Sequence, residues 1–162
     1  MTMTAVSLFV DGSCRGNPGP GGYCAIMQAG SQEKVLVDGA DETTNNRMEL
    51  TAVLAGLEAL KRPCAVTVFT DSQYAANILK DCTERSRSGS KAKANLDLVQ
   101  RVRIAAARHA VTAQWVAGHS GHDLNERCDR LAYAEATRRL KGASAMLSTG
   151  ASAACTAGVQ EV

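Results

Sequence analysis

With 162 residues, of which 45% are apolar and 21% charged, the chain has the size and composition of one soluble globular domain. No apolar run approaches the roughly 20 residues of a membrane-spanning helix. The formal net charge of +2 is too small to dictate a nucleic-acid partner, but Lys80 to Arg103 holds seven basic residues against three acidic ones. A basic lobe on a mildly acidic body suits a polyanionic ligand with a cation-binding pocket elsewhere. The six cysteines (14, 24, 64, 82, 128 and 155) form no CxxC pair and no zinc-finger spacing, which favours reduced thiols over a disulfide framework. The opening MTMTAVSLFV lacks a basic stretch followed by a long apolar one. Together these features predict a cytoplasmic protein.

In chain order, Val6–Val10, Gly22–Gln28 and Gln32–Asp38 read as short strands separated by CRGNPGPG and by a Gly30-Ser31 turn, predicting an antiparallel meander. Asp11 is expected where the first strand stops. Leu50, Val53, Leu54, Leu57 and Leu60 form an apolar stripe at helical spacing, predicting a helix from Asn46 to about Lys61, capped by Asn45 or Asn46 and with Glu49 flanking the stripe. Cys64–Thr70 is a compact strand after Pro63, and the strand–helix–strand return predicts parallel pairing with the first strand. Asp71 follows it directly, so Asp11 and Asp71 are expected at one carboxyl edge, where open α/β sheets bind ligands. Ser72–Asp81 reads as a short helix and Cys82–Ala94 as a basic linker. Asn95 is expected to cap a helix to about His109, Val111–Val116 is the fifth strand, and Ala117–Leu124 is a Gly/His loop. Asn125–Lys141 is the last predicted helix. Residues 1–141 are expected to form the domain, and the Ala/Ser/Gly-rich residues 142–162 a disordered tail.

Singly, the polar residues of these junctions are ordinary. Asp11 and Asp71 suit turns or caps, Glu49 a solvated helix edge, Asp129 a pairing with Arg127 or Arg130, and His119 an exposed loop. Considered together, two strand-end carboxylates and two on flanking helices can converge on one oxygen-rich pocket. Such a cluster repels itself without cations, and hard divalent ions such as Mg²⁺ take carboxylate and water ligands. Paired ions of this kind serve phosphoryl displacement, and the basic lobe suits a phosphodiester backbone. The residues alone thus point to a metal-dependent enzyme acting on nucleic acid.

Four separated stretches, VDGSCRGNPGPGGY (10–23), TTNNRMEL (43–50), TDSQY (70–74) and GHSGHDLNERCDRLA (118–132), resemble bacterial type 1 ribonuclease H in order and spacing. The resemblance implies an α/β fold, a mixed five-stranded sheet with three antiparallel strands followed by two parallel ones, flanked by helices. It implies that Asp11, Glu49, Asp71 and Asp129 bind two Mg²⁺ ions, with Mn²⁺ as a substitute. One ion would activate a water and the other stabilise the departing 3′ oxygen, leaving a 5′-phosphate. His119 matches a mobile histidine that aids proton movement or product release. Cys14, Asn17, Asn45, Asn46 and Gln73 match residues lining the RNA strand of an RNA–DNA hybrid, where the 2′-hydroxyl separates RNA from DNA. Thr44 and Asn95 match a pocket for a DNA-strand phosphate.

The basic handle departs from the family's better-studied bacterial members, which carry a longer one with several tryptophans. Here it offers Arg85, Arg87, Lys91 and Lys93 and no aromatic residue, since Trp115 is the only tryptophan of the chain. Glu42 stands near Thr44, at a position that can be basic in relatives. Weaker, more salt-sensitive hybrid binding with retained chemistry is the expectation. The reading is a monomeric endoribonuclease. A DNA resolvase or integrase of the same fold, disfavoured by Cys14, Asn17, Asn45 and Gln73, is the alternative enzyme. A hybrid-binding module without turnover is the alternative outside catalysis, disfavoured by the complete carboxylate set.

Overall fold

The computed structural model describes residues 2–84 and 94–149. In chain order the elements are β1 (Thr4–Cys14), β2 (Gly19–Ala29), β3 (Gln32–Thr43), α1 (Asn45–Ala59), β4 (Cys64–Thr70), α2 (Gln73–Thr83), α3 (Leu96–Ala106), β5 (Ala110–Trp115) and α4 (Asp123–Thr149). The strands form one five-stranded sheet in the order β3-β2-β1-β4-β5. β1, β2 and β3 pair antiparallel, whereas β4 pairs parallel with both β1 and β5. This is the mixed sheet expected from the order of apolar runs.

Alternation along β1 assigns its two faces. Val6, Leu8 and Val10 are buried and join Leu50, Val53 and Leu57 of α1, Val66 and Val68 of β4 and Val102 of α3 in the main core. Fully burying side chains of this size stabilises by about 1.5–3 kcal/mol each before entropy is counted. On the other face Phe9 packs with Cys24 and Ile26 beneath Cys128 and Ala132 of α4. The sheet is thus a layer between α1 with its neighbouring helices and α4. Among the described residues no helix is long and apolar enough to cross a membrane.

Several boundaries differ from expectation, each for a local reason. β1 does not stop at Val10; its antiparallel ladder with β2 runs on to Cys14 opposite Gly21, so Asp11 lies inside the strand. Only the parallel pairing with β4 ends near it, at Phe9 opposite Phe69. The cap of α1 is Thr44, whose hydroxyl accepts from the Arg47 backbone nitrogen at 3.2 Å, and Asn45 and Asn46 lie within the first turn. Asn95 precedes α3 but makes no side-chain capping bond. α4 begins at Asp123 and extends to Thr149, so the expected boundary after residue 141 falls within a helix. Arg85, Arg87, Lys91 and Lys93 of the basic handle, and residues 150–162 of the expected tail, lie outside the described residues.

Candidate active site

Parallel registration brings the first two carboxylates together. Phe9 lies opposite Phe69, so the second residue beyond each, Asp11 and Asp71, stands at the same level. The Phe9 and Phe69 rings stack with 4.8 Å between centroids, packing the two strands together two residues before the carboxylates. Glu49 comes from the other side of the sheet. A Cβ on Gly12 would lie 2.5 Å from the Glu49 backbone nitrogen, so only glycine lets α1 approach the strand this closely at Met48 and Glu49. Oxygen atoms of Asp11, Glu49 and Asp71 consequently lie within 4.8 Å of one another.

Asp129 is not a member of this tight group. It is half-buried on α4, next to Cys128, whose thiol donates to the Phe9 carbonyl at 3.3 Å and the Cys24 carbonyl at 3.1 Å. Its charge nonetheless reaches Asp71 and Asp11. His119 stands exposed in the loop before α4 with φ 56, and its charge acts on Asp71 in the opposite sense. Gly118 of the same loop passes close by, since a Cβ there would meet Asp71 Oδ2 at 3.0 Å. On the remaining side, Trp115 Nε1 donates to the Asp71 carbonyl at 3.1 Å.

The electrostatics of the group are those of an uncompensated acid cluster. Burial first, and then the neighbouring Asp71 charge, push the Asp11 carboxyl up to about 7. Burial and the Asp11 charge hold Glu49 well above the usual carboxylate range, and burial with Asp129 raises Asp71. Asp11 Oδ1 accepts from the Gly12 backbone nitrogen at 2.8 Å, but Asp11 Oδ2 and Glu49 Oε2 are buried without a hydrogen-bond partner. Unsatisfied buried carboxylate oxygens are strongly penalised, and either a shared proton or a cation removes the penalty. An all-oxygen set of this kind fits a hard divalent ion.

Around this cluster the other expected residues fall into two groups. Asn17 Oδ1 accepts from the Asn45 backbone nitrogen at 3.0 Å, tying the β1–β2 turn to the start of α1. Cys14 is half-buried there, its thiol donating to the carbonyls of Gly19 and Thr43 at 3.4 and 3.3 Å. Asn46 and Gln73 are exposed at the starts of α1 and α2, with Gln73 Nε2 donating to Asn77 Oδ1 at 3.1 Å. Thr44 and Asn95 form a separate group with Arg47, whose guanidinium donates to Asn95 Oδ1 at 3.3 Å. Sequence reasoning passed over Arg47, Tyr74 and Gly12. Arg47 stands inside the TTNNRMEL stretch, but nothing in the sequence pairs it with Asp97, fifty positions on.

Comparisons with known proteins agree with this architecture. The family model described as RNase H matches residues 3–137. A ribonuclease H of Nitratidesulfovibrio vulgaris strain Hildenborough is 51% identical over 146 residues, covering 86% of this chain and 94% of that protein. A ribonuclease H of Hydrogenovibrio crunogenus is 53% identical over 136 residues, covering 80% and 94%. Among solved structures, the N-terminal RNase H domain of rv2228c from Mycobacterium tuberculosis superposes with a TM-score of 0.73 at 25% identity, covering 86% of this chain and 99% of that one. LC11-RNase H1, solved in complex with an RNA/DNA hybrid, shares the fold with a TM-score of 0.68 at 19% identity, covering 83% and 99%. With most of its length matched by the family model and by relatives at about half identity, the chain belongs to the RNase H family of enzymes.

Proposed function

We propose that the protein is a divalent-metal-dependent endoribonuclease that cuts the RNA strand of RNA–DNA hybrids and leaves 5′-phosphate and 3′-hydroxyl ends. The observation that carries this reading is the convergence of Asp11, Glu49 and Asp71 with two buried, unpartnered carboxylate oxygens, on a fold of the RNase H family. Asp11, Glu49 and Asp71 would hold the metal, with Asp129 completing the set from α4. What bound divalent ions supply there, two of Mg²⁺ or of Mn²⁺ in its place, is Lewis acidity for activating a water and for stabilising the departing 3′ oxygen.

The chain's own groups do the rest. Asp11 and Glu49, both buried, exclude bulk water from one side of the cluster. His119, in an exposed loop beside Asp71, accepts a proton at its imidazole and moves it to solvent. Cys14, Asn17, Asn45, Asn46 and Gln73 would read the minor-groove side of the RNA strand, where the 2′-hydroxyl distinguishes it from DNA. Thr44 and Asn95 bind a DNA-strand phosphate, and Arg85, Arg87, Lys91 and Lys93 attract the duplex backbone. The complex of the fold relative LC11-RNase H1 with RNA/DNA hybrid supports this choice of substrate. The unpaired cysteines among the described residues fit a reducing, cytoplasmic setting, and we read the enzyme as a monomer.

The test is cleavage of one labelled RNA strand, alone, paired with RNA and paired with DNA, each with Mg²⁺ and with EDTA. Cutting confined to the hybrid and to Mg²⁺ is expected. Binding without cutting would replace the enzyme by a hybrid-binding module, and cutting of duplex DNA in a companion lane would favour a resolvase-like activity.

A further inference from the structure

Asn95 precedes α3 with φ 56, a left-handed conformation uncommon for a residue bearing a side chain, although Asn tolerates it better than most. The side chain does not cap the helix. Its carboxamide is held from two sides instead. Oδ1 accepts from Arg47 Nη1 at 3.3 Å, and Nδ2 donates to the Tyr74 hydroxyl at 3.0 Å. A guanidinium has donors only, so the amide oxygen must face Arg47 and the amide nitrogen must turn away from it. Nδ2 carries two hydrogens, and Tyr74 takes one of them, leaving the other to donate.

Arg47 is itself fixed by a fork-to-fork pair with Asp97, Nη1 to Oδ1 at 3.0 Å and Nη2 to Oδ2 at 2.8 Å. The side chains of this pair are 34% and 65% exposed, and pairs so exposed contribute about 0–1 kcal/mol to stability. Stability alone therefore gives little reason for so exact an arrangement. The Arg47 backbone nitrogen also donates to the Thr44 hydroxyl oxygen, so the Thr44 proton is left to donate elsewhere.

We propose that Arg47 is a positioning residue for substrate binding: anchored by Asp97, it orients the Asn95 carboxamide so that an Asn95 N–H, alongside the Thr44 O–H, is presented to a phosphate of the DNA strand. The proposal rests on the reading of Thr44 and Asn95 as phosphate contacts. Both Nη1 hydrogens and one Nη2 hydrogen of Arg47 are taken by Asn95 and Asp97, so Arg47 is assigned a role exerted through Asn95 and not a phosphate contact of its own. Tyr74 closes the arrangement from α2, so α1, α2 and the start of α3 share one polar joint.

The experiment is a double-mutant cycle read by steady-state hybrid cleavage, with the thermal midpoint of every variant measured. Asn95→Gly removes the carboxamide while keeping a backbone that accepts φ 56. Arg47→Met and Asn95→Gly are each expected to raise KM by about tenfold or more, as for loss of one hydrogen bond to a charged group, with kcat within about twofold. Combined, they raise KM no further than Asn95→Gly alone. Asp97→Asn raises KM in the same direction, and again not when Asn95 is already Gly. Multiplying effects in the double variant would show Arg47 acting on its own and overturn the proposal while leaving the phosphate contacts intact. Full retention of KM by Arg47→Lys, which keeps the charge without the fork, would also overturn it. An unchanged KM for Asn95→Gly would overturn the underlying reading of the pocket.

Discussion

Asp11 and Glu49 hold their protons to higher pH in the folded protein than in the unfolded chain, where both titrate in the ordinary carboxylate range. Between about pH 4 and pH 7 the metal-free fold therefore binds more protons than its unfolded state, and these groups make it less stable as pH rises. Asp11→Asn removes one of the two mutually repelling charges. Relative to wild type in EDTA it is expected to stabilise by about 2–4 kcal/mol at pH 7.5, and the difference should vanish toward pH 4, by chemical denaturation at each pH. A difference independent of pH would mean that the pair is not coupled to folding. Mg²⁺ should recover much of that stability in wild type and little in the variant, by preferential binding to the native state. The same substitution, like Asp71→Asn, is expected to abolish cleavage while leaving hybrid binding largely intact. His119→Ala should slow turnover far less, because an exposed loop imidazole can be replaced by buffer or water as proton carrier.

Two neighbouring strands in parallel register explain why so much of the site was legible in the amino-acid sequence. Apolar runs of the right length end at Asp11 and Asp71, and parallel pairing through one crossover leaves them level. What alternation along a strand could not convey is that β1 continues past Asp11, because the glycine-rich stretch after it reads as turn while its backbone still pairs with β2. Nor could the helical stripe of α1 show that Glu49 turns inward, since that depends on Gly12 admitting the helix. The cap of α1 lies one or two residues before the expected Asn45 or Asn46 for a similar reason: Thr44, Asn45 and Asn46 are all good caps, and only the backbone selects among them. Gly12→Ala tests this packing. Its methyl group meets the α1 backbone, so the thermal midpoint should fall, by overpacking of about 1–3 kcal/mol, and Mg²⁺ affinity should fall with it as Glu49 is displaced. Trp115 offers a reporter for the same element junction, because its indole bonds the Asp71 carbonyl and no other tryptophan is present. Its emission should change saturably with Mg²⁺ and cease to do so in Asp71→Asn. Emission indifferent to Mg²⁺ at concentrations that support cleavage would separate the ion from Asp71.

Over the whole molecule the charge is divided in a way that separates chemistry from attraction. The acidic cluster lies just beyond the point where the parallel pairing of β1 and β4 ends, whereas the basic excess lies between Lys80 and Arg103 in the sequence. Outside that segment, Arg47 is paired with Asp97, Arg127 with Glu33, Arg138 with Glu135, and Arg139 with Asp38 and Asp41. Arg85, Arg87, Lys91 and Lys93, clustered within nine positions, are expected to add to the attraction for a duplex backbone, with no aromatic residue among them to add a salt-independent contribution. Each phosphate neutralised contributes about −0.9 to the slope of log affinity against log salt. Four such contacts predict a slope near −3.6 from this segment alone, a loss on the order of a hundredfold between 50 and 200 mM salt. Replacing all four by Ser should flatten the slope by about that amount and weaken binding, while kcat at saturating hybrid stays within about twofold, because the four are basic side chains and none is among the metal-holding carboxylates proposed above. Hybrid affinity measured across a salt series for both proteins decides the matter. A shallow slope in wild type, or an unchanged slope after replacement, would mean that the duplex is held by the polar residues at the helix starts, and that the basic lobe is a solvated surface.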